Sequence, residues 1–402
     1  MREWRYGFEI LRGHPNPLKL RVAITNTFSW PHVRRGSERF IHELSWFLSN
    51  RGHKVTIVST TPDGPARRSD ESIAMLHYAE RGRWIPARLR ISQDHVFSLQ
   101  SLHAFLTNDF DVVHCMTPSS AFAAGLCKMF KKINFLFHIV GIPMKAYFKA
   151  VPHDYLIFRF GLTRADETVV LSRCAEHYLE KDFRQRGALL PIPVDLEHFK
   201  VNTSTRATPP KILMSGDLEE TRKGVRLLAR SFAVVKKTVP SARLQLSGRI
   251  SDHRRREVFD LIPGSMHGDV EVLGVGKLED LPHLYAEATV TVLPAIWETF
   301  GMVLVESLAC GTPVVGARHG GIPDIISSSD IGSLFDPGEI GEEASNVEGL
   351  AEVILRTLEL AQKERTPYLC RRHAEQYGWN DIGPHFERLY YEIFEGKRKV
   401  EE

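Results

Sequence analysis

A strand-length apolar run, a glycine-bearing loop and an amphipathic helix follow one another twice in this 402-residue chain, and nothing else constrains its fold as strongly. Residues 20–25 form the first run. A loop through Trp30, Pro31 and Gly36 leads into a helix whose apolar positions Phe40, Ile41, Leu44, Phe47 and Leu48 keep the helical period, with Ser37 as the expected N-cap. Gly52 stops that helix and residues 54–59 read as the next strand, giving a right-handed βαβ unit. The pattern returns at residues 211–214, where Gly216 follows the strand and Val225, Leu228, Phe232 and Val235 share one helix face. Between the two lies VNTSTRATPP, from Val201, which has no apolar period and ends in two prolines, as a linker does. The expected fold class is therefore α/β, with domains over residues 1–205 and 206–379 and a helical tail over 380–402 striped by Ile382, Phe386, Leu389, Tyr390 and Ile393. Sheets of this kind bind ligands outside the carboxyl ends of their strands, so chemistry is expected between the domains.

Residues 298–315, ETFGMVLVESLACGTPVV, join two carboxylates to a helix start. Glu298 closes a loop after an apolar strand, and Phe300 and Gly301 lead into a helix through Met302, Val303, Leu304, Val305 and Glu306. The first N–H groups of such a helix have no intrahelical partner and sit at the positive end of its dipole, which suits a phosphate. Gly301 lets a ligand approach the backbone, while a carboxylate at Glu306 accepts two hydroxyl hydrogen bonds, as a ribose diol requires. Solvated glutamates on an ordinary strand–loop–helix unit are the alternative. Lys223-Gly224 is a second element of the same kind, a cation beside a glycine at a loop-to-helix transition.

Glu298 and Glu306, seven residues between them and ACGTPVV following, resemble the signature of the family 4 retaining glycosyltransferases. The resemblance spans nearly the whole chain, through LRVAITNTFS, GSERFIHELSWFLSNRGHKVTIVS, DVVHCMTPSSAFAAG, RADETVVLSRCAEHYL, LLPIPVDLEHF, KILMSGDLEETRKGVRLLARSF and GGIPDII. It implies the GT-B fold, two Rossmann-like domains facing across a cleft, with the C-terminal helix crossing back to the first. It implies a nucleotide-diphosphate sugar as donor substrate in the second domain, a hydroxyl acceptor (lipid-linked, glycan or small molecule) in the first, retention of the donor anomer, and no metal or other cofactor. By resemblance Lys223 takes the diphosphate with the N–H groups around Phe300 to Val303, Gly36 and Gly216 line the donor, Glu306 holds the ribose and Glu298 orients the sugar. His138, after the run Phe135-Leu136-Phe137, falls where relatives place a histidine on the donor-sugar or acceptor side; His114 reads as structural. Four positions depart from the pattern: Arg35 for a glycine, Met116 for a histidine, Asp217 for an arginine and Pro193 for a glycine. Arg35 and Asp217 are expected on opposite walls of the diphosphate site, Arg35 either as a substitute phosphate contact or as a latch on Asp217. A nucleotide-sugar epimerase of the same fold, or a binding or scaffold protein that has lost turnover, are the other readings these departures leave.

The rest of the chain narrows this further. No run of eighteen apolar residues and no charged-then-apolar leader is visible, so the expected location is cytoplasmic. Five widely spaced cysteines in apolar runs point to structural thiols. Asp109-Phe110-Asp111 precedes a strand and is not read as a metal site, and Gly274-Val275-Gly276 lacks the third glycine of a dinucleotide fingerprint. The net charge of +3 hides a basic first half, with clusters at Arg81, Arg83, Arg88 and Arg90 and at Lys128, Lys131 and Lys132. Solvated helix faces explain them, as does attraction of a peripheral protein to an anionic membrane surface. Nucleic acid is not expected, because no aromatic-interleaved basic motif accompanies the charge.

Overall fold

The structure, a computed structural model, describes residues 18–396 apart from 29, 31, 34–35, 71–72, 81–91 and 202–207. Along the first half run β1 (Arg21–Phe28), α1 (Gly36–Asn50), β2 (Lys54–Thr61), β3 (Ala66–Asp70), β4 (Ile73–Ala79), α2 (Gln93–Thr107), β5 (Val112–Cys115), α3 (Pro118–Cys127), β6 (Phe135–Ile139), α4 (Pro152–Arg164), β7 (Glu167–Val170), α5 (Arg173–Phe183) and β8 (Ala188–Leu189). Their strands form one sheet in the order β3-β4-β2-β1-β5-β6-β7-β8, parallel except where the edge strand β3 runs antiparallel to β4. Helices cover both faces, so β1, β5 and β6 are buried throughout or nearly so, and they read as continuous apolar runs for that reason.

The second half comprises β9 (Lys211–Ser215), α6 (Val225–Thr238), β10 (Arg243–Ser247), α7 (Asp252–Asp260), β11 (Val270–Gly274), α8 (Leu281–Glu287), β12 (Val290–Leu293), α9 (Met302–Ala309), β13 (Val314–Ala317), α10 (Ile322–Ile325), β14 (Gly332–Phe335), α11 (Val347–Ala361), α12 (Thr366–Glu375) and α13 (Trp379–Phe394). Its six strands are ordered β11-β10-β9-β12-β13-β14. The reversal beside β9, where the chain leaves one flank of the sheet for the other, is the kind of crevice that binds nucleotides.

α13 does not stay with this second sheet. Phe386 packs on Phe40 of α1, the Tyr390 hydroxyl lies 2.7 Å from His114 Nδ1 on β5, and Glu387 takes Arg51 at 2.7 Å and His53 at 2.9 Å. Where the chain crosses between domains, the Val194 N–H donates to the Tyr377 carbonyl at 2.8 Å, and Arg371 Nη1 donates to the carbonyls of Leu196 and Phe199. The tail thus closes the core of the first domain.

Several local expectations are revised. Ser37 lies inside the first turn of α1, which begins at Gly36, so it is no N-cap; its hydroxyl donates to Glu38 at 3.0 Å. Lys128 pairs with Asp166 at 2.5 Å, and Lys131 pairs with Asp109 at 2.7 Å while donating to the Asn108 carbonyl. These two lysines tie loops together and are not a free basic face. The cluster at Arg81, Arg83, Arg88 and Arg90 lies outside the described residues, as does Arg35. Among the described residues no helix is long and apolar enough to cross a membrane.

Candidate active site between the domains

The loop after β12 builds the centre of the site. Gly301 caps α9 with φ +99, a conformation that a side chain disfavours, and so turns the chain into the helix while Phe300, only 3% exposed, anchors the turn in the core. Met302 and Val303 open the helix and are half-buried. After β9, a single turn over Thr221–Lys223 ends at Gly224, φ +79, where a Cβ would come within 2.7 Å of the Pro294 carbonyl. That close approach brings the two loops together. Lys223 Nζ lies 2.5 Å from Glu298 Oε2, Arg222 Nη1 is 3.6 Å from the same oxygen, and Arg222 also donates to the Trp297 carbonyl at 3.3 Å. Burial would raise the Glu298 carboxyl, but Lys223, Arg222 and the Phe300 N–H outweigh it and hold the group below the usual carboxylate range.

Gly216 has φ +138 and open space where a Cβ would stand, so its peptide faces the cleft unobstructed. Gly248 supports it from behind, so closely that a Cβ there would lie 1.6 Å from the Gly216 carbonyl oxygen. Arg35, the expected counterpart of Asp217, lies outside the described residues. Asp217 pairs with Arg249 of its own domain at 2.6 Å and accepts from the Glu219 N–H.

Glu306 is 2% exposed and already engaged. Arg39, reaching across from α1, binds one of its oxygens, and the Tyr285 hydroxyl donates to the other at 2.8 Å. Burial opposes the Arg39 charge, yet Glu306 and Glu43 more than restore it, so the guanidinium stays charged. Gly36 sits over the start of α9, its Cβ position 2.8 Å from Met302 Sδ. The two domains therefore meet at the very helix start that the motif marks.

His138, expected on the donor-sugar or acceptor side, sits on β6 in the core, against α13. It is fully buried, its Nδ1 3.0 Å from His114 Nε2, and Phe40 and Phe386 pack on it. Burial lowers it to about 3, so it is neutral at any ordinary pH, and its Nε2 has no partner among the described residues. Met116 is also core, 1% exposed, with its N–H on the Thr25 carbonyl. Among the described residues His95, His153 and Asp154 form one group spaced for a metal ion. The Ser92 N–H donates to His95 Nδ1 at 2.8 Å, however, which puts the ring proton on Nε2, where it faces Asp154 Oδ1 at 2.7 Å. That is a hydrogen-bonded cluster with its ligand atom already occupied.

Arg39, Tyr285 and Arg222 belong to the site but not to the sequence expectation. Arg222 had a visible signal, a second cation beside Lys223. Arg39 had a weaker one, a charge next to the apolar stripe of α1.

Comparison with known proteins identifies the chain. Residues 34–198 match the profile of Glycosyltransferase Family 4, and residues 196–365 match that of Glycosyl transferases group 1. The chain belongs to the group 1, family 4 glycosyltransferases. This glycosyltransferase is 22% identical over 392 residues to the phosphatidyl-myo-inositol mannosyltransferase of Propionibacterium freudenreichii, covering 92% of the chain and 94% of the relative. Some curated relatives match over a shorter stretch. The N-acetyl-alpha-D-glucosaminyl L-malate synthase of Bacillus anthracis is 30% identical over 131 residues, and that match spans 32% of this chain and 32% of the relative. The fold matches sucrose-phosphate synthase from Thermosynechococcus elongatus with a TM-score of 0.80 at 20% identity, over 94% of this chain and 100% of that one. Anabaena HepE in complex with UDP and glucose matches with a TM-score of 0.71 at 14% identity, over 92% and 99%. The architecture is GT-B.

Proposed function

We propose that this glycosyltransferase moves a sugar with retention of configuration, and without a metal ion, from a nucleotide-diphosphate sugar to a hydroxyl acceptor in glycan, glycolipid or polysaccharide synthesis. The observation that carries the reading is the convergence of Lys223, Arg222 and the α9 start on one point beside Glu298. Two cations and unpaired helix N–H groups, held in place before the reaction, stabilise charge developing on a leaving diphosphate as a bound metal would. Glu298, kept ionised, accepts from sugar hydroxyls and sets the donor's orientation. Glu306 takes the ribose hydroxyls once Arg39 withdraws. A fold neighbour bound to UDP supports a nucleotide donor.

The test is a thermal-shift panel of UDP, GDP and ADP, repeated in excess chelator, followed by transfer assays. A nucleotide at a hundred times its Kd adds about 2.7 kcal/mol of stability. Lys223→Ala should lower turnover by about 10²- to 10³-fold. Glu306→Ala should weaken nucleotide binding, while Glu298→Gln leaves it nearly intact and depresses transfer. The product anomer, read by NMR, should match the donor's. No shift with any nucleotide would favour a binding or scaffold role, and activity lost to chelator and restored by manganese would overturn the metal-free mechanism. Anionic vesicles test the acceptor side: salt-sensitive binding supports a lipid-linked acceptor, and no binding supports a soluble one.

A further inference from the structure

Trp297, immediately before Glu298, has φ +54, and the only other non-glycine residue with positive φ among those described is Arg184, at a helix end. A bulky side chain in the left-handed region needs its surroundings to hold it there. Its holder is the segment after β13. The Trp297 N–H donates to His319 Nδ1 at 3.0 Å, and the indole meets the imidazole edge-on with centroids 4.3 Å apart. Two residues on, the Gly321 N–H donates to the Glu298 carbonyl at 2.7 Å. A Cβ on Gly320 would stand 2.3 Å from the Glu298 carbonyl oxygen, and one on Gly321 would stand 2.1 Å from that of Thr299. Residues 319–321 thus grip residues 297–299 at two points, one a backbone amide and the other a side-chain nitrogen used as a backbone acceptor.

We propose that His319 is a positioning residue for the transfer reaction: by accepting the Trp297 N–H it fixes the left-handed turn that aims the Glu298 carboxylate into the donor site. This rests on the reading of Glu298 as the group that orients the donor sugar. The acceptor role requires a neutral imidazole with its proton on Nε2, because imidazolium carries a proton on Nδ1 as well and has no lone pair to offer. The charged and titratable groups around the turn are Arg222 on the Trp297 carbonyl, Lys223 and Glu298 beside it, Tyr178 of α5 edge-on to the indole, and Arg318 next in the chain. Burial lowers the proton affinity of His319 from its ordinary 6.5. The clamp is therefore intact at neutral pH, and it is released as pH falls below 6.5 and through the lower folded value.

The experiment is hydrogen exchange of the Trp297 amide by mass spectrometry, with chemical exchange rates corrected for pH, in wild type, His319→Ala, His319→Gln and His319→Asn. Asparagine places its Oδ1 close to where histidine places Nδ1, whereas glutamine carries it one bond too far. Exchange should rise by about tenfold or more in the Ala and Gln variants and stay near wild type in Asn. On acidification wild type should lose protection and His319→Asn should not. Cleavage of UDP-glucose, GDP-mannose and UDP-N-acetylglucosamine, each assayed separately, should fall about tenfold in kcat for Ala and Gln, with nucleoside diphosphate affinity little changed, and recover in Asn without the acid limb of the pH profile. Unchanged protection in His319→Ala would overturn the clamp. Lost protection with unchanged kcat, in a protein that Glu298→Gln disables, would overturn the positioning role alone. Full turnover in Glu298→Gln, with the protection pattern as expected, would overturn the Glu298 assignment and with it the catalytic meaning of the clamp.

Discussion

Arg39 of the first domain and Glu306 of the second form a buried ion pair across the cleft, on the carboxylate assigned to the ribose. If Glu306 takes the ribose as proposed, a nucleotide has to displace Arg39, which would couple donor binding to domain opening. The Tyr285 hydroxyl donates to the second oxygen at 2.8 Å and orients the carboxylate independently of Arg39.

Removing Arg39 strands a buried carboxylate. Arg39→Ala should cost about 3–5 kcal/mol in urea unfolding, and small-angle scattering should show a more open empty protein. A loss under about 1 kcal/mol with unchanged scattering would show that the contact contributes nothing to closure.

The two glycines that meet back to back behind the donor site should respond differently to a methyl group. Gly248→Ala, which would drive a Cβ into the Gly216 carbonyl, should destabilise the second domain by about 3 kcal/mol or more or leave it insoluble. Gly216→Ala meets only open space, so the fold should survive at a cost near ~1 kcal/mol from the strained φ, and nucleotide affinity should fall. Equal stability of the two variants would refute the contrast.

Acid should loosen α13 from the first domain. The Glu387 carboxyl, though raised by burial, is held below its ordinary 4.5 by His53 and Arg51. A depressed folded value means the contribution is complete above 4.5 and disappears as pH falls through the lower folded value. Urea midpoints measured across that window should decline in wild type, and Glu387→Gln should be weaker at neutral pH and flatter below it. Parallel curves would remove Glu387 from the acid response.

Asp217 pairs with Arg249 of its own domain at 2.6 Å. Asp217→Ala should leave donor affinity and turnover within about twofold, since an exposed pair contributes little. A tenfold change would return Asp217 to the donor site.

The strands and helices of the two α/β units were legible because strands buried on both faces and helices buried on one leave their periods in the sequence, as β1 and α1 do, whereas the crossing of the tail came from the family resemblance and the sheet order only from the structure. That Glu298, Lys223 and Gly301 come together at one helix start was legible because a loop built to present helix N–H groups uses few residue types at fixed spacing. Arg39, Tyr285 and Arg249 were not, since each acts on a residue far along the chain and nothing local distinguishes a charge that crosses a cleft from one that meets water. The burial of His138 was hidden for the opposite reason. Its position at the end of a strand suggested the cleft, whereas Phe40 and Phe386 close over it, and only the placement of α13 reveals that.

That placement also fixes an order of assembly. Phe386 and Tyr390 fill the space above His114 and His138, yet they follow the whole second domain in the chain. The core of the first domain around Phe40 and the histidine pair is therefore completed by residues that lie beyond the second domain in sequence. Completion of the first domain is thereby tied to completion of the second, and a chain cut short before Trp379 lacks part of the first domain's core.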